Sequence, residues 1–321
     1  MDKIKVGGQA VIEGVMMRSQ SALAVSVRKA DGSIKTKEER ITPLSERYPV
    51  LKRPMLRGVV ILFESLALGI SALTFSAHEA AEEEVEGGIS SLAMAATIAV
   101  SLAFGILLFV VLPHFFTVGV SKGLGIEMGV DTLAFHLVDG VIKVAVFVLY
   151  IVGISFMPDI RRVFMYHGAE HKSIFAFESG DELTVENAKK YSTTHPRCGT
   201  SFIITVLLVS IFLFAAVFPF MPKLTGLGGL ARNLVYILIK LPLLVPIAGI
   251  SYEFIKLAGD HRHNRLLVAL SLPGIWLQKM TTREPTDDQI EVAIAALTSS
   301  IAVERAGVKK ERALKGTSTD V

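Results

Sequence analysis

Two imidazoles and a carboxylate fall within one short stretch, Tyr166-His167-Gly168-Ala169-Glu170-His171. Positions four apart share a helix face, so His167 and His171 stand together and Glu170 sits at the edge of that face. His-x-x-Glu-His is the inverted form of the zincin motif. A divalent metal there, zinc by its preference for imidazole and thiolate, would bring its bound water to a pKa near ~7. Glu170 would be the general base, and Arg197 would stabilise a developing oxyanion. A catalytic zinc takes three protein ligands and keeps one position open. His167 and His171 supply two. His195 is the first choice for the third, with Cys198, Glu178 and Glu253 as the others. The blander reading is an ordinary polar helix face, with Glu170 paired to a histidine or to Lys172. His195-Pro196-Arg197-Cys198-Gly199 likewise reads as a turn, and a lone cysteine as a small buried hydrophobe. Having His195 and Cys198 in the same segment favours the metal.

The elements that must position these residues belong to a membrane protein. The chain has 321 residues, 51% of them hydrophobic, and a mean hydropathy of +0.52. Four apolar runs, roughly 91–112, 137–157, 201–221 and 233–250, meet or approach the ~20 residues that cross a bilayer. Lys plus Arg number twelve in 1–57, one in 113–136, six in 158–200, two in 222–232 and ten in 251–321. High and low alternate as four spans require, which places both termini and the 158–200 segment in the cytoplasm. A fifth stretch, 58–77, carries Glu64, Ser65, Ser71, Thr74 and Ser76. If it crossed, the two most basic early segments would fall on opposite sides, so it is expected to be interfacial or re-entrant. The lipid bilayer is thus the expected partner, in the cell's inner membrane. A net charge of +3 without a Lys/Arg stripe and interleaved aromatics excludes nucleic acid. One cysteine excludes an internal disulfide. Residues 1–50 lack the apolar core of a cleavable signal peptide.

The expected fold is mainly α: about four transmembrane helices, interfacial helices, and a small N-terminal β-hairpin. Residues 1–57 form a β-rich segment, in which Ala22–Arg28 and Ser33–Glu38 alternate around Asp31-Gly32 as hairpin arms. Gly7, Gly8 and Gly14 suit a close-packed strand or loop, or else a backbone cradle beside a site with Glu13 and Arg18. Residues 58–250 form the membrane domain, with 158–200 as its His-rich insert. In the fourth run, Lys240 with Pro242 and Pro246 reads as a charge snorkelling at an interface, the alternative being a bent helix with Lys240 facing protein or water. His78, His114 and His136 read as structural or interfacial. Residues 251–303 form a helical segment: 266–280 suits a membrane-surface helix, and Thr286 with Gln289 makes a capping box ahead of the stripe Ile290, Ala293, Ile294 and Leu297. Residues 304–321 read as a frayed tail.

Four blocks also carry a resemblance: Gly7–Arg18, Tyr166–Lys172, His195–Phe202 and Thr281–Pro285. They resemble the YqhQ-like family of bacterial membrane proteins, filed as a domain of unknown function and labelled as metal-dependent enzymes. The resemblance runs from about residue 5 to about residue 300 and implies a metal without a substrate or reaction. The resulting expectation is a membrane-embedded, cytoplasm-facing metal-dependent hydrolase of unknown substrate. The alternative is a non-catalytic scaffold, or a small transporter centred on Lys240, for which four spans require a homo-oligomer.

Overall fold

The computed structural model describes residues 4–80, 91–126, 128–195, 198–261 and 264–316. Strands β1 (Gly7–Val11), β2 (Gly14–Arg18), β3 (Ala22–Arg28) and β4 (Ile34–Arg40) form an antiparallel meander in chain order. The expected hairpin is β3–β4, paired from Arg28↔Ile34 to Ala22↔Arg40, with Gly32 at φ 83° in its turn. The glycine-bearing stretch is a second hairpin, β1–β2, closed at Ile12-Glu13. Gly14 is required there, because a Cβ would lie 2.2 Å from the Ser26 carbonyl oxygen.

Among the described residues eleven α-helices follow: α1 (Leu44–Arg47), α2 (Leu56–Ala80), α3 (Ser91–Ile106), α4 (Leu112–Gly123), α5 (Leu133–Ser155), α6 (Pro158–Ser179), α7 (Val185–Lys189), α8 (Gly199–Val217), α9 (Gly229–Asp260), α10 (Arg265–Thr281) and α11 (Asp287–Gly316). A π-helical turn at Leu107–Val111 joins α3 to α4 without a break.

Alternation along the strands divides the sheet's side chains between two covers. Val15 and Met17 join Tyr166, Ala169 and Ile174 of α6 and Ile290, Ala293 and Leu297 of α11 in one core. Met16, Leu23, Val25 and Val27 pack with Ala72 and Leu68 of α2 in another. This double cover explains why β3 is buried almost throughout, whereas polar β4 meets water.

Among the described residues, five stretches are long and apolar enough to cross a membrane: Leu56–Ala80, Ala95–Gly123, Leu133–Ser155, Gly199–Phe220 and Gly229–Gly259. Four match the apolar runs. The fifth is the stretch expected at the interface, so length and composition alone give five rather than four. Its hydroxyls do not interrupt the helix, because Thr74 and Ser76 donate to the carbonyls of Ile70 and Leu73.

Two further expectations are corrected. Lys240 does not snorkel: it is 1% exposed and its Nζ lies 2.9 Å from Asp139 Oδ2. His114 and His136 are buried with it, the structural one of their two readings. The tail does not begin at residue 304, because α11 stays helical to Gly316 and buries Glu304 against the sheet. The Glu304 carboxylate accepts from Ser19 Oγ and from the amide and hydroxyl of Ser21, each at 2.8 Å. One half of the capping box is present, the Thr286 amide donating to Gln289 Oε1 at 3.0 Å, while the Gln289 amide goes to the Thr286 carbonyl. Helix α10 exposes Leu266, Leu270 and Trp276. It also packs on α8, where Gly274 sits against Ser201.

Candidate metal centre

Helix α6 starts with Pro158 in its first turn, where a missing N–H costs nothing, and ends at Gly180 with φ 83°. Between these ends the expected spacing is realised, and the His167 and His171 rings lie 4.5 Å apart. Each Nδ1 donates to a main-chain carbonyl: His167 to Thr281 at 2.9 Å, His171 to Thr193 at 2.5 Å. Both Nε2 lone pairs are thereby aimed inward, the usual way of orienting a metal-ligating imidazole.

What they face is Cys198. His167 Nε2 lies 3.1 Å from its Sγ. His171 Nε2 is buried and turned toward the same sulfur, outside hydrogen-bond geometry. The three ligand atoms all lie within 4.8 Å of one another. One ion with bonds of ~2.0–2.3 Å can reach all three, so the donor set fits a zinc-type metal. Cys198 is also the N-cap of α8, where its sulfur accepts from the Thr200 amide at 3.4 Å. Burial keeps the His171 imidazole below its ordinary pKa, against the pull of Cys198, so it stays a neutral donor.

The other expected residues fall differently. Glu170 is buried beside this group and takes a hydrogen bond from the Gly8 amide. Burial holds its carboxyl above the ordinary carboxylate range, although His167, His195 and the Gly8 amide pull the other way. A Cβ at Gly8 would meet Glu170 Cγ at 2.8 Å, so β1 can approach α6 here only as glycine. Of the two readings of Gly7-Gly8, the close-packed strand is the one realised: both lie in β1, and Gly8 packs against Glu170. Glu170, His171, His195, Cys198 and Gly8 line one cavity of about 80 Å³. His195 therefore shares the cavity, but its ring stacks edge-on to Phe175 and its Nε2 lies 3.6 Å from Glu178. Cys198, not His195, completes the three-atom group. Glu253 is held elsewhere, by the Arg57 guanidinium and the Met55 amide. Glu13 and Arg18 are likewise engaged, Glu13 with Arg162 and Tyr166, Arg18 with Glu64. Arg197 lies outside the described residues.

The Thr281 and Thr193 carbonyls and the Gly8 amide are functional groups that residue-type reasoning misses, because any residue offers them. The one signal is glycine. A Cβ at Gly168 would lie 2.1 Å from the Arg283 carbonyl oxygen, so this glycine lets the Thr281–Arg283 strap lie against α6.

Residues 53–303 match a family model described as a protein of unknown function, DUF1385. The chain belongs to the DUF1385 family. It is also 32% identical over 320 residues to a protein of Bacillus subtilis (strain 168) described as uncharacterized protein YqhQ, covering 95% of this chain and 96% of that one. No solved structure matches the chain. The DUF1385 match takes in α6, Cys198 and the Thr281–Arg283 strap but begins after the sheet. The likeness to YqhQ extends over almost the whole chain, without a reaction attached.

Proposed function

We propose that this DUF1385 chain is an integral membrane, metal-dependent hydrolase. Its zinc-type site is held by His167, His171 and Cys198. The observation that carries this reading is the aim of the two histidines: both Nδ1 atoms are tied to carbonyls and both Nε2 atoms converge on a helix-capping cysteine. Three protein ligands beside a cavity leave a position open, as catalytic rather than structural zinc does. A bound ion would supply a water of lowered pKa and polarise a carbonyl or phosphoryl group. The chain's own contribution is Glu170. Burial raises its proton affinity in the direction that suits a general base, and the Gly8 amide fixes its orientation. His195 lines the cavity and lies 3.6 Å from a Glu178 oxygen, which makes an imidazole–carboxylate pair beside the site.

The placement of the site at a membrane surface rests on parity. The sheet precedes α2 and packs against α6, which follows α5. Three candidate spans lie between them: α2, the continuous helix Ala95–Gly123, and α5. Three crossings would separate the sheet from α6 by a bilayer, so one of the three does not cross. Helix α2 is that one. Its small residues Gly69, Ala72 and Ser76 face the sheet, while Leu62, Phe63, Leu66 and Leu73 point outward, which suits a helix lying between sheet and lipid. Four spans remain, and the Lys/Arg distribution then puts sheet, α6, α11 and the metal site in the cytoplasm.

Metal analysis of the purified full chain tests the site. The wild type is expected to hold about one divalent ion per chain. His167→Ala, His171→Ala and Cys198→Ser should lose it, and Glu253→Ala should keep it. Equal, near-zero metal in all of them ends the metal reading.

A further inference from the structure

A second cluster of ionisable side chains lies far from these residues, inside the membrane domain. Lys240 of α9 and Lys143 of α5 both reach the same oxygen of Asp139, Oδ2, at 2.9 and 3.5 Å. All three are buried, at 1%, 4% and 1% exposure. Lys240 Nζ also lies 3.3 Å from His114 Nδ1, and His114 Nε2 lies 3.3 Å from Asn233 Oδ1. An ammonium can only donate and that amide oxygen can only accept, so His114 is the neutral Nε2–H tautomer. Both lysines lie over the Phe214 ring, at 5.4 and 5.1 Å. The π-helical turn directly precedes α4, and Pro242 and Pro246, which lack the N–H of a helical hydrogen bond, lie within α9 just after Lys240. Ionisable groups buried among apolar helices are where membrane proteins build ion and proton sites.

The charges do not balance. His114 comes from α4, His136, Asp139 and Lys143 from α5, and Lys240 with the neutral amide of Asn233 from α9. Tyr236 of α9 gives its hydroxyl to the Pro222 carbonyl. The segments Ser91–Leu112 and Gly199–Val217 contain no acidic or basic residue, and the second contributes Phe214. Two ammoniums therefore share one carboxylate, leaving one surplus positive charge in a medium that tolerates none cheaply. Meanwhile Asp139 Oδ1 is buried and makes no hydrogen bond among the described residues. A bare carboxylate oxygen repels an anion and accepts a donor, so water carrying a proton fits there and a counter-anion does not.

We infer that the Asp139–Lys143–Lys240 cluster is a proton-exchange site within the membrane domain, independent of the metal centre. Water enters at Asp139 Oδ1. One N–H bond breaks at Lys240 Nζ, the nitrogen keeps the electron pair, and an O–H bond forms on the water. The hydronium leaves, and the cluster passes from one surplus positive charge to neutrality. Lys240 is the exchanging group because it alone touches both Asp139 and the acceptor nitrogen of His114. Lys143 supplies the surplus charge that makes exchange favourable.

The test is NMR of the full chain in lipid nanodiscs, with lysine labelled at ¹³Cε and ¹⁵Nζ, from about pH 5 to 9. One lysine signal, absent from Lys240→Met, should move between its ammonium and amine positions within that window. In Lys143→Met, which removes the surplus charge, the same signal should remain ammonium throughout. Should Lys240→Met fail to fold, Lys240→Arg supplies the assignment. A wild-type Lys240 signal that stays ammonium across the window overturns the proposal, as does identical titration in Lys143→Met. A signal that responds to added bromide or phosphate instead of pH overturns it too, and makes the cluster an anion site.

Discussion

Replacing Gly168 by alanine adds one methyl group that touches no candidate ligand, yet it should weaken the metal site. The new Cβ would lie 2.1 Å from the Arg283 carbonyl oxygen and 3.3 Å from Thr193 Cγ2. Contact distances are about 3.5 Å, so α6 and the Thr281–Arg283 strap must part by about 1 Å. The strap is held by two bonds at nearly the same height: the Arg283 amide to the Phe164 carbonyl, and His167 Nδ1 to the Thr281 carbonyl, each 2.9 Å. A shift of that size breaks both. Overpacking costs about 1–3 kcal/mol, offset by the ~0.5–1 kcal/mol that alanine gains over glycine in a helix, so the net loss of stability is about 1 kcal/mol. The larger effect falls on His167, which loses the partner that aims it. Losing such an orienting bond typically lowers metal affinity about 10–100-fold. Chelator competition on the purified chain, read beside thermal unfolding, measures both. Gly153→Ala, where a Cβ meets nothing within 4 Å, is the control expected to change neither. Zinc affinity in Gly168→Ala within about twofold of wild type would refute the reasoning, because the strap would then not be what aims His167.

Other perturbations have equally definite outcomes. Burial works against the charge on Glu304, but the Ser21 amide and the Ser19 and Ser21 hydroxyls outweigh it and hold its carboxyl below the ordinary range. A lowered folded-state pKa stabilises above the unfolded value and fades as pH falls through the folded one. Glu304→Gln should therefore cost about 1–3 kcal/mol at neutral pH, with the gap to wild type closing below about pH 4 in thermal melts. A gap constant from neutral pH to below 4 would contradict that account. Glu253→Gln breaks the pair with Arg57 and should lower thermal stability while leaving metal content unchanged; loss of metal would restore Glu253 as a ligand. In a Cys198→Ser background, Ser33→Cys and His78→Cys should react with an impermeant thiol reagent from the same side of the membrane. Labelling from opposite sides would mean that α2 crosses.

What could be read from the sequence follows the range of the interaction concerned. The His167–His171 pair was legible because helical spacing alone sets it. The β3–β4 hairpin was legible because Asp31-Gly32 and the flanking alternation are local. Choosing Cys198 over His195 was not, since it depends on how the chain from Gly180 to Gly199 folds back on α6. Glu253 shared the expected side of the membrane, but residue type could not reveal that Arg57, 196 positions earlier, would claim it. Lys240 was misread for the same reason, its counter-ion Asp139 being 101 positions away and buried in another helix. For 56–80, hydropathy and charge distribution pointed in opposite directions. The sheet packed on one side of that helix is what favours the second, and no window of sequence contains it.

The parts that set the His167 ring differ greatly in when they are made. His171 and its carbonyl partner are 22 residues apart, and His167 and Cys198 31, whereas His167 waits 114 residues for Thr281. At synthesis rates of about 5–20 residues per second, the first pairs exist within roughly 1–6 s and the last contact follows only after roughly 6–23 s. During that interval α8, α9 and α10 must be made and placed in or on the bilayer. The emerging chain therefore carries an unfinished site through membrane insertion, and His167 gains its fixed aim only once the protein is almost complete. Capture of a metal ion would then report that biogenesis has succeeded.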